Sequence, residues 1–406
     1  MKNLFLKSTK IIVIVFSTLL IVKTADTILG LFLKKDTVLS SESDAIYKAP
    51  EFTFSVRTNS MGFRGPEPYI PKKEGVTRIA IIGDSFVYGW GVDYQDTWVY
   101  HLERKLNESY TGRKFEVINL GIPGASPYTY RETVAKYLPM LKPDYVFIAL
   151  VEGNDFTQVV GDVDRSAKSA SLDSQTIKSE LFKVIHDNDA FLLTENFAKI
   201  QTLFPNLYKL TSSKVVHDVR KSFRHTVLDY VKLMGNEDVE RFQNNISDES
   251  KNLYLYGNIN PDLFIYALRM PDYFTKILTV DDTERRETMH NLYDLFDSIK
   301  QIGLENGSKI VLIDIPYGIF VDKKHCQTYQ SLGFNYMENA WEADTPLEVI
   351  LDIAKEAKIG VLVNLQEFRD KCTDDCFWQY DDHMTPKGNE ILAENVATQF
   401  LSITSY

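Results

Sequence analysis

The chain has 406 residues, of which 44% are hydrophobic and 25% are charged. This is the composition of a globular protein, and the length is sufficient for one large domain or two ordinary ones. The formal net charge of -11 argues against general nucleic-acid binding, because no basic surface compensates the acidic balance.

The N-terminus differs in composition from the rest of the chain. Apolar runs at residues 11–22 and 28–33 are preceded by lysines and followed by Lys34 and Lys35. The first run alone is short for a membrane span and fits a signal peptide, but a small-residue cleavage site is missing. We therefore expect residues 1–35 to be a retained signal-anchor, with the body of the protein outside the cytoplasmic membrane (periplasmic or extracellular). A buried or surface helix of a soluble protein is the alternative.

Residues 36–76 are polar, contain scattered prolines, and are predicted to be a linker that leads into an extended cover segment. Within them, residues 57–65 combine two glycines with Arg64 in a short span, which indicates a structured loop. A simple turn with a surface arginine is the alternative.

From Thr77 onward, predicted strands and helices alternate along the chain. Strands are predicted at residues 78–82, 115–119, 145–151, 309–315 and 360–365. Helices are predicted at residues 97–108, 128–141, 281–305, 346–358 and 386–401. Strands that alternate with helices imply a parallel sheet covered on both faces. We therefore predict an α/β domain built from residues 77–155 and 281–406.

Residues 156–280 interrupt this alternation. They show no repeat and little strand-like pattern, and they are predicted to form an α-helical insertion that serves as a lid. Helices are expected near residues 175–186, 214–234 and 262–278. The aromatic residues of the insertion are more often part of its own core than of a sugar or acyl site. These aromatic residues are Tyr254, Tyr256, Phe264 and Tyr266.

The stretch at residues 77–91 contains the candidate nucleophile. A short apolar strand leads directly into Gly83, and this glycine permits the sharp turn that puts Ser85 at the carboxyl end of the strand. Open α/β sheets bind ligands at those ends. A serine there can act as a nucleophile if a base reaches it, although the same residues can simply turn the chain and cap a helix.

The candidate base is His383, which lies just before the last predicted helix. Asp381 precedes it by two residues, and residues i and i+2 of an extended segment face the same way. We therefore expect Asp381 to hold the Nδ1–H group of His383 while Nε2 faces Ser85. Asp382 is expected to point away.

Donors for an oxyanion are available at two further strand ends. Gly121 follows the second predicted strand and can offer a backbone N–H, and Asn154 follows the third and can offer a side-chain amide. The N–H of Ser85 is the third donor. Gly and Asn are also common loop residues, so each donor has an ordinary structural explanation.

Three cysteines, Cys326, Cys372 and Cys376, are consistent with an exported protein that has one disulfide and one free thiol. Cys372 and Cys376 are close enough in the chain to pair, and Cys326 is an equally acceptable partner. A zinc site is not expected, because His383 is the only histidine nearby.

The serine, glycine, asparagine and histidine motifs together resemble the four sequence blocks of the SGNH (GDSL-type) hydrolase superfamily. The matching blocks are Gly83-Asp84-Ser85, Gly121, Asn154 and Asp381-x-His383. The resemblance covers about residues 77–155 and 309–401 and leaves the insertion unmatched. It implies a three-layer α/β/α sandwich of flavodoxin-like type around a five-stranded parallel sheet.

The resemblance also implies a role for each matching residue. Ser85 would be the nucleophile, His383 the base and Asp381 the acid that orients it. Gly121 and Asn154 would join Ser85 as oxyanion donors, and neither a metal nor an organic cofactor would be required.

Two positions depart from the family pattern. Glu152 stands where many members have glycine, and Tyr380 stands where many have the aspartate of the catalytic triad. Residues 59–65 also resemble a segment that precedes the serine block in membrane-anchored members. The anchored members imply hydrolysis of O-acyl groups, most simply acetyl, on a cell-surface polysaccharide.

Three alternatives stay open. An O-acyltransferase to a polysaccharide would use the same triad, a lipase or small-ester esterase would use it on other esters, and a catalytically silent glycan-binding protein would retain only the fold. The expected partners are an acylated glycan or another ester, and the membrane through the N-terminal segment.

Overall fold

The computed structural model describes residues 45–110, 112–153, 155–156, 215–234, 236–279, 282–335, 339–373 and 375–404, together with Lys23. The chain divides into two compact units, one formed by residues 1–40 and 172–215 and the other by residues 41–171 and 216–406. Nearly all described residues belong to the second unit.

The elements are numbered in chain order. The described strands are β1 (Ala45–Lys48), β2 (Thr53–Val56), β3 (Val76–Gly83), β4 (Lys114–Gly121), β5 (Tyr145–Val151), β6 (Val215–Asp218), β7 (Lys309–Ile315) and β8 (Gly360–Leu362). The described α-helices are α1 (Ser85–Tyr88), α2 (Trp98–Ser109), α3 (Pro127–Leu141), α4 (Val219–Leu233), α5 (Asn236–Asn244), α6 (Asp248–Leu255), α7 (Pro261–Arg269), α8 (Lys276–Thr279), α9 (Asp282–Glu305), α10 (Gly318–Val321), α11 (Lys323–Ser331), α12 (Thr345–Ala357), α13 (Leu365–Lys371) and α14 (Pro386–Thr404).

A five-stranded parallel sheet forms the centre of the fold, in the order β4-β3-β5-β7-β8. Its strands are apolar on both faces, and the side chains of residues 79–82 are completely buried. Sheets of this kind are buried between helices, which explains the continuous apolar runs in the sequence. Helices α2 and α14 pack together, and α3, α9 and α12 form a second packed group. The predicted α/β/α architecture is confirmed.

The last strand is shorter than predicted. A strand was expected over residues 360–365, but β8 ends at Leu362 and helix α13 begins at Leu365. The N–H groups of Asn364 and Leu365 donate to Asp314 Oδ2 at 2.9 and 3.0 Å. These side-chain bonds replace the strand pairing and start the helix.

The predicted insertion helices are only partly observed. The helix expected at residues 175–186 lies outside the described residues. The helix expected at residues 214–234 begins as strand β6 and becomes α4 at Val219. The helix expected at residues 262–278 is divided into α7 and α8, because Pro271 disfavours helical backbone at the residue before it. Tyr254 and Phe264 are completely buried, as expected for core residues, but Tyr256 is 57% exposed and is not part of the core.

In the segment predicted to be a linker that leads into a cover segment, the described residues 45–76 contain regular structure. Strands β1 and β2 pair antiparallel as a hairpin, and with β6 they form a second sheet in the order β2-β1-β6. The loop at residues 57–65 is structured as predicted, since Asn59 Oδ1 accepts the N–H groups of Met61 and Phe63, both at 3.1 Å. Arg64 is completely buried, so it is not a surface arginine.

Cys372 and Cys376 form a disulfide with their Cα atoms 5.6 Å apart, and Cys326 is a buried free thiol. In the described part of the chain, no helix has the length and apolar character to cross a membrane. The predicted signal-anchor at residues 1–35 lies outside the described residues except for Lys23, so it stays a prediction.

Candidate active site

Strand β3 delivers Ser85 to the carboxyl edge of the sheet. Ser85 is the first residue of the short helix α1, and the Asp84 side chain caps this helix by accepting the Phe86 N–H at 2.9 Å. A Cβ atom at Gly83 would lie 2.4 Å from the Val87 side chain, so a glycine is needed for this tight turn. The turn leaves Ser85 partly exposed between buried neighbours.

His383 lies in a loop whose two ends are joined by hydrogen bonds. We call residues 376–385 the base loop, because they contain the candidate base. The N–H of Thr385 donates to the carbonyl of Cys376 at 2.9 Å, and the N–H of Trp378 donates to the carbonyl of His383 at 3.0 Å. Asn389, one turn into α14, donates its amide to the carbonyl of Thr385 at 3.0 Å and accepts the N–H of Trp98 at 2.9 Å. The loop is therefore fixed to both α14 and α2.

The structure brings together the three residues predicted to form a triad. His383 Nε2 lies 2.7 Å from Ser85 Oγ, although the two residues are 298 positions apart in the chain. His383 Nδ1 is hydrogen-bonded to Asp381 Oδ1, which also accepts the His383 N–H at 3.1 Å. Asp381 is buried, and the His383 side chain is only 14% exposed. The hydroxyl of Ser85, the imidazole of His383 and the carboxylate of Asp381 thus form one continuous chain of hydrogen bonds.

The prediction that Asp382 points away is wrong. Its Oδ1 atom lies 3.2 Å from His383 Nδ1, and the buried Tyr317 hydroxyl donates to its Oδ2 atom. An extended segment would turn Asp382 away from His383, but the backbone bends at Asp381 and His383. Two carboxylates therefore face the same ring nitrogen.

These carboxylates control the charge on His383. Burial lowers its pKa, but Asp381 and Asp382 raise it more strongly, and the net result is a pKa of about 9. Burial and the neighbouring Asp381 raise the pKa of Asp382. At neutral pH the resting histidine is therefore mostly protonated, whereas a general base must be neutral.

The predicted oxyanion donors of the site are Ser85, Gly121 and Asn154. The N–H of Gly121 donates to Asn119 Oδ1 at 2.8 Å, so it is engaged within the protein and the predicted donor role of Gly121 is not favoured. Asn154 lies outside the described residues, and its role stays a prediction. In the described part of the chain, the N–H groups of Ser85 and Gly124 make no hydrogen bond.

Gly124 belongs to the loop that follows β4, and this loop starts beside the nucleophile. The N–H of Ile122 donates to the carbonyl of Gly83 at 3.0 Å, and the N–H of Ala125 donates to the carbonyl of Ile122 at 3.0 Å. Gly121, the predicted donor, is the first glycine of this stretch. The second glycine has the accessible N–H, because Gly124 is exposed and Gly121 is buried.

Glu152, the first departure from the family pattern, is completely buried at the end of β5. One carboxyl oxygen accepts the N–H of Tyr317 at 3.3 Å. Burial and the nearby Asp314 raise its pKa well above the usual range, which favours the protonated carboxyl group. It supports the backbone around Tyr317, which in turn bonds to Asp382.

Aromatic side chains from three separate segments line one side of the triad. The ring centroid of Trp90 lies 6.3 Å from that of His383, and Tyr47 packs on Trp90 at 5.5 Å. Trp378, in the base loop, and Tyr88 belong to the same partly exposed cluster. Sequence reasoning missed this surface, because its residues are far apart in the chain and follow no period.

Asp381, Asp382 and His383 also bring a ring nitrogen and two carboxylate oxygens within 4.8 Å of one another, a donor set that can hold a metal ion. In this arrangement, however, Nδ1 faces the carboxylates and Nε2 faces Ser85. Both ring nitrogens of His383 are thus engaged by the triad itself.

The chain shows a distant likeness to several solved structures. A lipase/acylhydrolase from Enterococcus faecalis matches at 12% identity with a TM-score of 0.36, over 80% of this chain and 96% of that protein. An acetylxylan esterase from Geobacillus stearothermophilus matches at 12% identity with a TM-score of 0.35, over 80% and 93%. A protein named TesA matches at 12% identity with a TM-score of 0.36, over 80% and 99%. No family model and no curated protein matches the chain.

Proposed function

We propose that this protein is a serine esterase of the SGNH type that hydrolyses O-acyl esters through an acyl-enzyme. The observation that carries the proposal is the line of hydrogen bonds from Ser85 through His383 to Asp381. A nucleophile in contact with a base, which is oriented by a carboxylate, is the arrangement that acyl transfer requires. A catalytically silent glycan-binding protein would have no need for this contact.

In the proposed mechanism, each step is carried out by a named atom. Ser85 Oγ attacks the carbonyl carbon of the ester while His383 Nε2 takes the hydroxyl proton, and Asp381 stabilises the imidazolium that forms. The N–H groups of Ser85 and Gly124 are the proposed donors to the oxyanion, together with the amide of Asn154. His383 then protonates the leaving alcohol as the ester C–O bond breaks. A water molecule, deprotonated by His383, finally releases the acid and restores Ser85.

For the substrate, we propose O-acyl groups, most simply acetyl, on a cell-surface polysaccharide. The aromatic cluster beside the triad supports this, because Tyr47, Trp90 and Trp378 are partly exposed and the side chains of Tyr and Trp are amphipathic. Such side chains pack against the apolar side of a sugar ring while its hydroxyls stay in water. The resemblance of residues 59–65 to anchored members of the family points the same way.

We also propose that the catalytic body is membrane-anchored and extracytoplasmic. The lysine-flanked apolar runs at the N-terminus support an anchor. The disulfide between Cys372 and Cys376 supports an oxidising compartment, where such bonds persist.

The first prediction concerns Ser85→Ala. We expect the wild-type protein to react with a fluorophosphonate probe and to hydrolyse p-nitrophenyl acetate, and the variant to do neither, because it lacks the attacking oxygen. Labelling of the variant at another residue, or absence of labelling in the folded wild type, would contradict the esterase. Ser60→Ala is the matched control, since Ser60 is an exposed serine on a surface loop.

The same assay separates hydrolysis from transfer. With an acyl donor and an O-deacetylated polysaccharide, an esterase releases free acid, whereas an acyltransferase places the acyl group on the glycan. Release of acetate from an acetylated polysaccharide would establish the substrate class.

A further inference from the structure

The hairpin β1–β2 and the loop that follows it contact both sides of the active site, and we call residues 45–65 the N-terminal arm. Phe54 packs against Trp90, which follows the nucleophile helix, with ring centroids 5.3 Å apart. Phe52 packs against Trp378 of the base loop at 5.5 Å. The arm thus touches the segment that carries Ser85 and the segment that carries His383.

On the nucleophile side, the arm acts through Arg64. Its guanidinium donates to the carbonyl of Tyr88 at 3.3 Å and to the carbonyls of Gly89 and Val92, which follow directly after α1. It also donates to the carbonyl of Ser55 at 2.8 Å, so one side chain joins strand β2 to the nucleophile turn. The planar guanidinium of an arginine has five N–H donors and can therefore bind several carbonyls at once, which the single ammonium group of a lysine cannot do in the same geometry.

On the base side, the arm acts through Glu51, which lies in the turn between β1 and β2. Its Oε1 atom accepts the N–H of Gln379 and its Oε2 atom accepts the N–H of Tyr380, each at 2.8 Å. These two residues lead directly into Asp381 and His383. Hydrogen bonds to a carboxylate are stronger than those to a neutral acceptor, so this contact restrains the start of the catalytic segment.

We propose that Glu51 and Arg64 are positioning residues that hold the base and the nucleophile in contact, a role that rests on the proposed esterase function. Arg64 fixes the backbone behind Ser85, and Glu51 fixes the backbone ahead of Asp381. Both act through backbone groups and not on the substrate. The arm therefore contributes two positioning residues to the site, although it lies outside the predicted hydrolase domain.

The pairing at Glu51 requires the two oxygens of a carboxyl group. Each of its two oxygens accepts one backbone N–H, whereas a glutamine of the same shape offers one oxygen and one NH₂ group. Glu51→Gln keeps the packing of the side chain but sets an N–H donor against another N–H donor. A role in packing alone would survive this change, and a positioning role would not.

The test compares Glu51→Gln with the wild type in the full chain. The measurements are kcat and KM for p-nitrophenyl acetate, the rate of fluorophosphonate labelling, and the melting temperature. We expect kcat and the labelling rate to fall by on the order of 10- to 100-fold, with KM and the melting temperature nearly unchanged, because a small misplacement of catalytic groups has effects of this size.

Glu67→Gln is the matched control. Glu67 also accepts two hydrogen bonds, but both come from Ser60 within its own loop, so this variant should keep the wild-type kcat. Wild-type kcat and labelling in Glu51→Gln would overturn the inference, as would a loss of activity that only parallels a fall in melting temperature. A folded wild type without labelling or turnover would instead overturn the proposed function and the inference with it.

Discussion

The charge on His383 is the property of this site that individual residues control most directly. Two carboxylates face Nδ1, whereas a serine triad requires only one. Asp381 accepts from both the ring and the backbone of His383, and Asp382 is held by the Tyr317 hydroxyl. Together they stabilise the imidazolium. This favours the transition state, but it raises the pH at which His383 becomes the neutral base.

We therefore expect kcat/KM of the wild type to rise with pH towards about 9, as His383 loses its proton. Asp381→Asn and Asp382→Asn should each move this rising limb to lower pH, because each removes a negative charge that raises the pKa. Asp381→Asn should lower kcat by less than the roughly 10⁴-fold known for a sole orienting aspartate, because Asp382 remains.

The measurement is a pH–rate profile with a neutral ester substrate. Asp248→Asn is the control, since the Asp248 side chain is 95% exposed on the surface of α6 and pairs with Lys251. The role assigned to the two carboxylates would be contradicted if the rising limb of the wild-type profile lay near pH 6.5 and neither Asp381→Asn nor Asp382→Asn shifted it.

Among the secondary structure elements, the contact between α1 and β4 positions Ser85, the proposed nucleophile. At Gly121 the end of β4 lies so close to α1 that a Cβ atom would sit 2.3 Å from Tyr88 N and 2.7 Å from the carbonyl carbon of Val87. These are backbone atoms, which cannot rotate away as a flexible side chain would. The glycine that was predicted to donate to an oxyanion therefore has a clear packing role.

Gly121→Ala should push α1 away from the strand and displace Ser85 from His383. We expect a lower rate of fluorophosphonate labelling and a loss of about 1–3 kcal/mol in unfolding free energy, the usual range for overpacking. Gly360→Ala is the control, because a Cβ atom at Gly360 in β8 would meet nothing within 4 Å. Wild-type labelling and stability in Gly121→Ala would show that this contact does not constrain the nucleophile.

Across the folded protein, several buried groups bind protons more tightly than they do in the unfolded chain. The pKa of His383 is raised to about 9 by the two carboxylates, despite its burial. Burial raises the pKa of Glu51 to about 7 and that of Glu152 well above its usual range. Their contribution to stability is complete below the pKa of the unfolded chain and is lost as the pH rises through the pKa of the folded chain.

We therefore expect the free energy of unfolding to fall as the pH rises from about 6.5 to 9. Burial lowers the pKa of His325 to about 4, which has the opposite effect, but only below pH 6.5. Urea denaturation at a series of pH values measures this slope. His383→Ala should flatten it between pH 7 and 9, and a wild-type stability that increases over this range would contradict the assignment.

The sequence alone determined the parallel sheet and the three residues of the proposed triad. Both depend on local patterns: apolar runs that end at glycine, and polar side chains placed where strands end at a common edge. Ser85 and His383 are therefore predictable even though 298 positions separate them. Asp381 was also predictable from its spacing, while the bend that brings in Asp382 was not.

Tertiary structure decided the rest of the site. Glu51 and Arg64 act on backbone groups 24 to 329 positions away, and no local pattern encodes such contacts. No local pattern encodes the hydrogen bond from Tyr317 to Asp382 either. Nor does one show that the N–H of Gly121 is hydrogen-bonded within the protein while the N–H of Gly124 stays accessible. A local sequence pattern shows where a chemical group stands along its element, but which backbone atoms it meets depends on how distant elements pack.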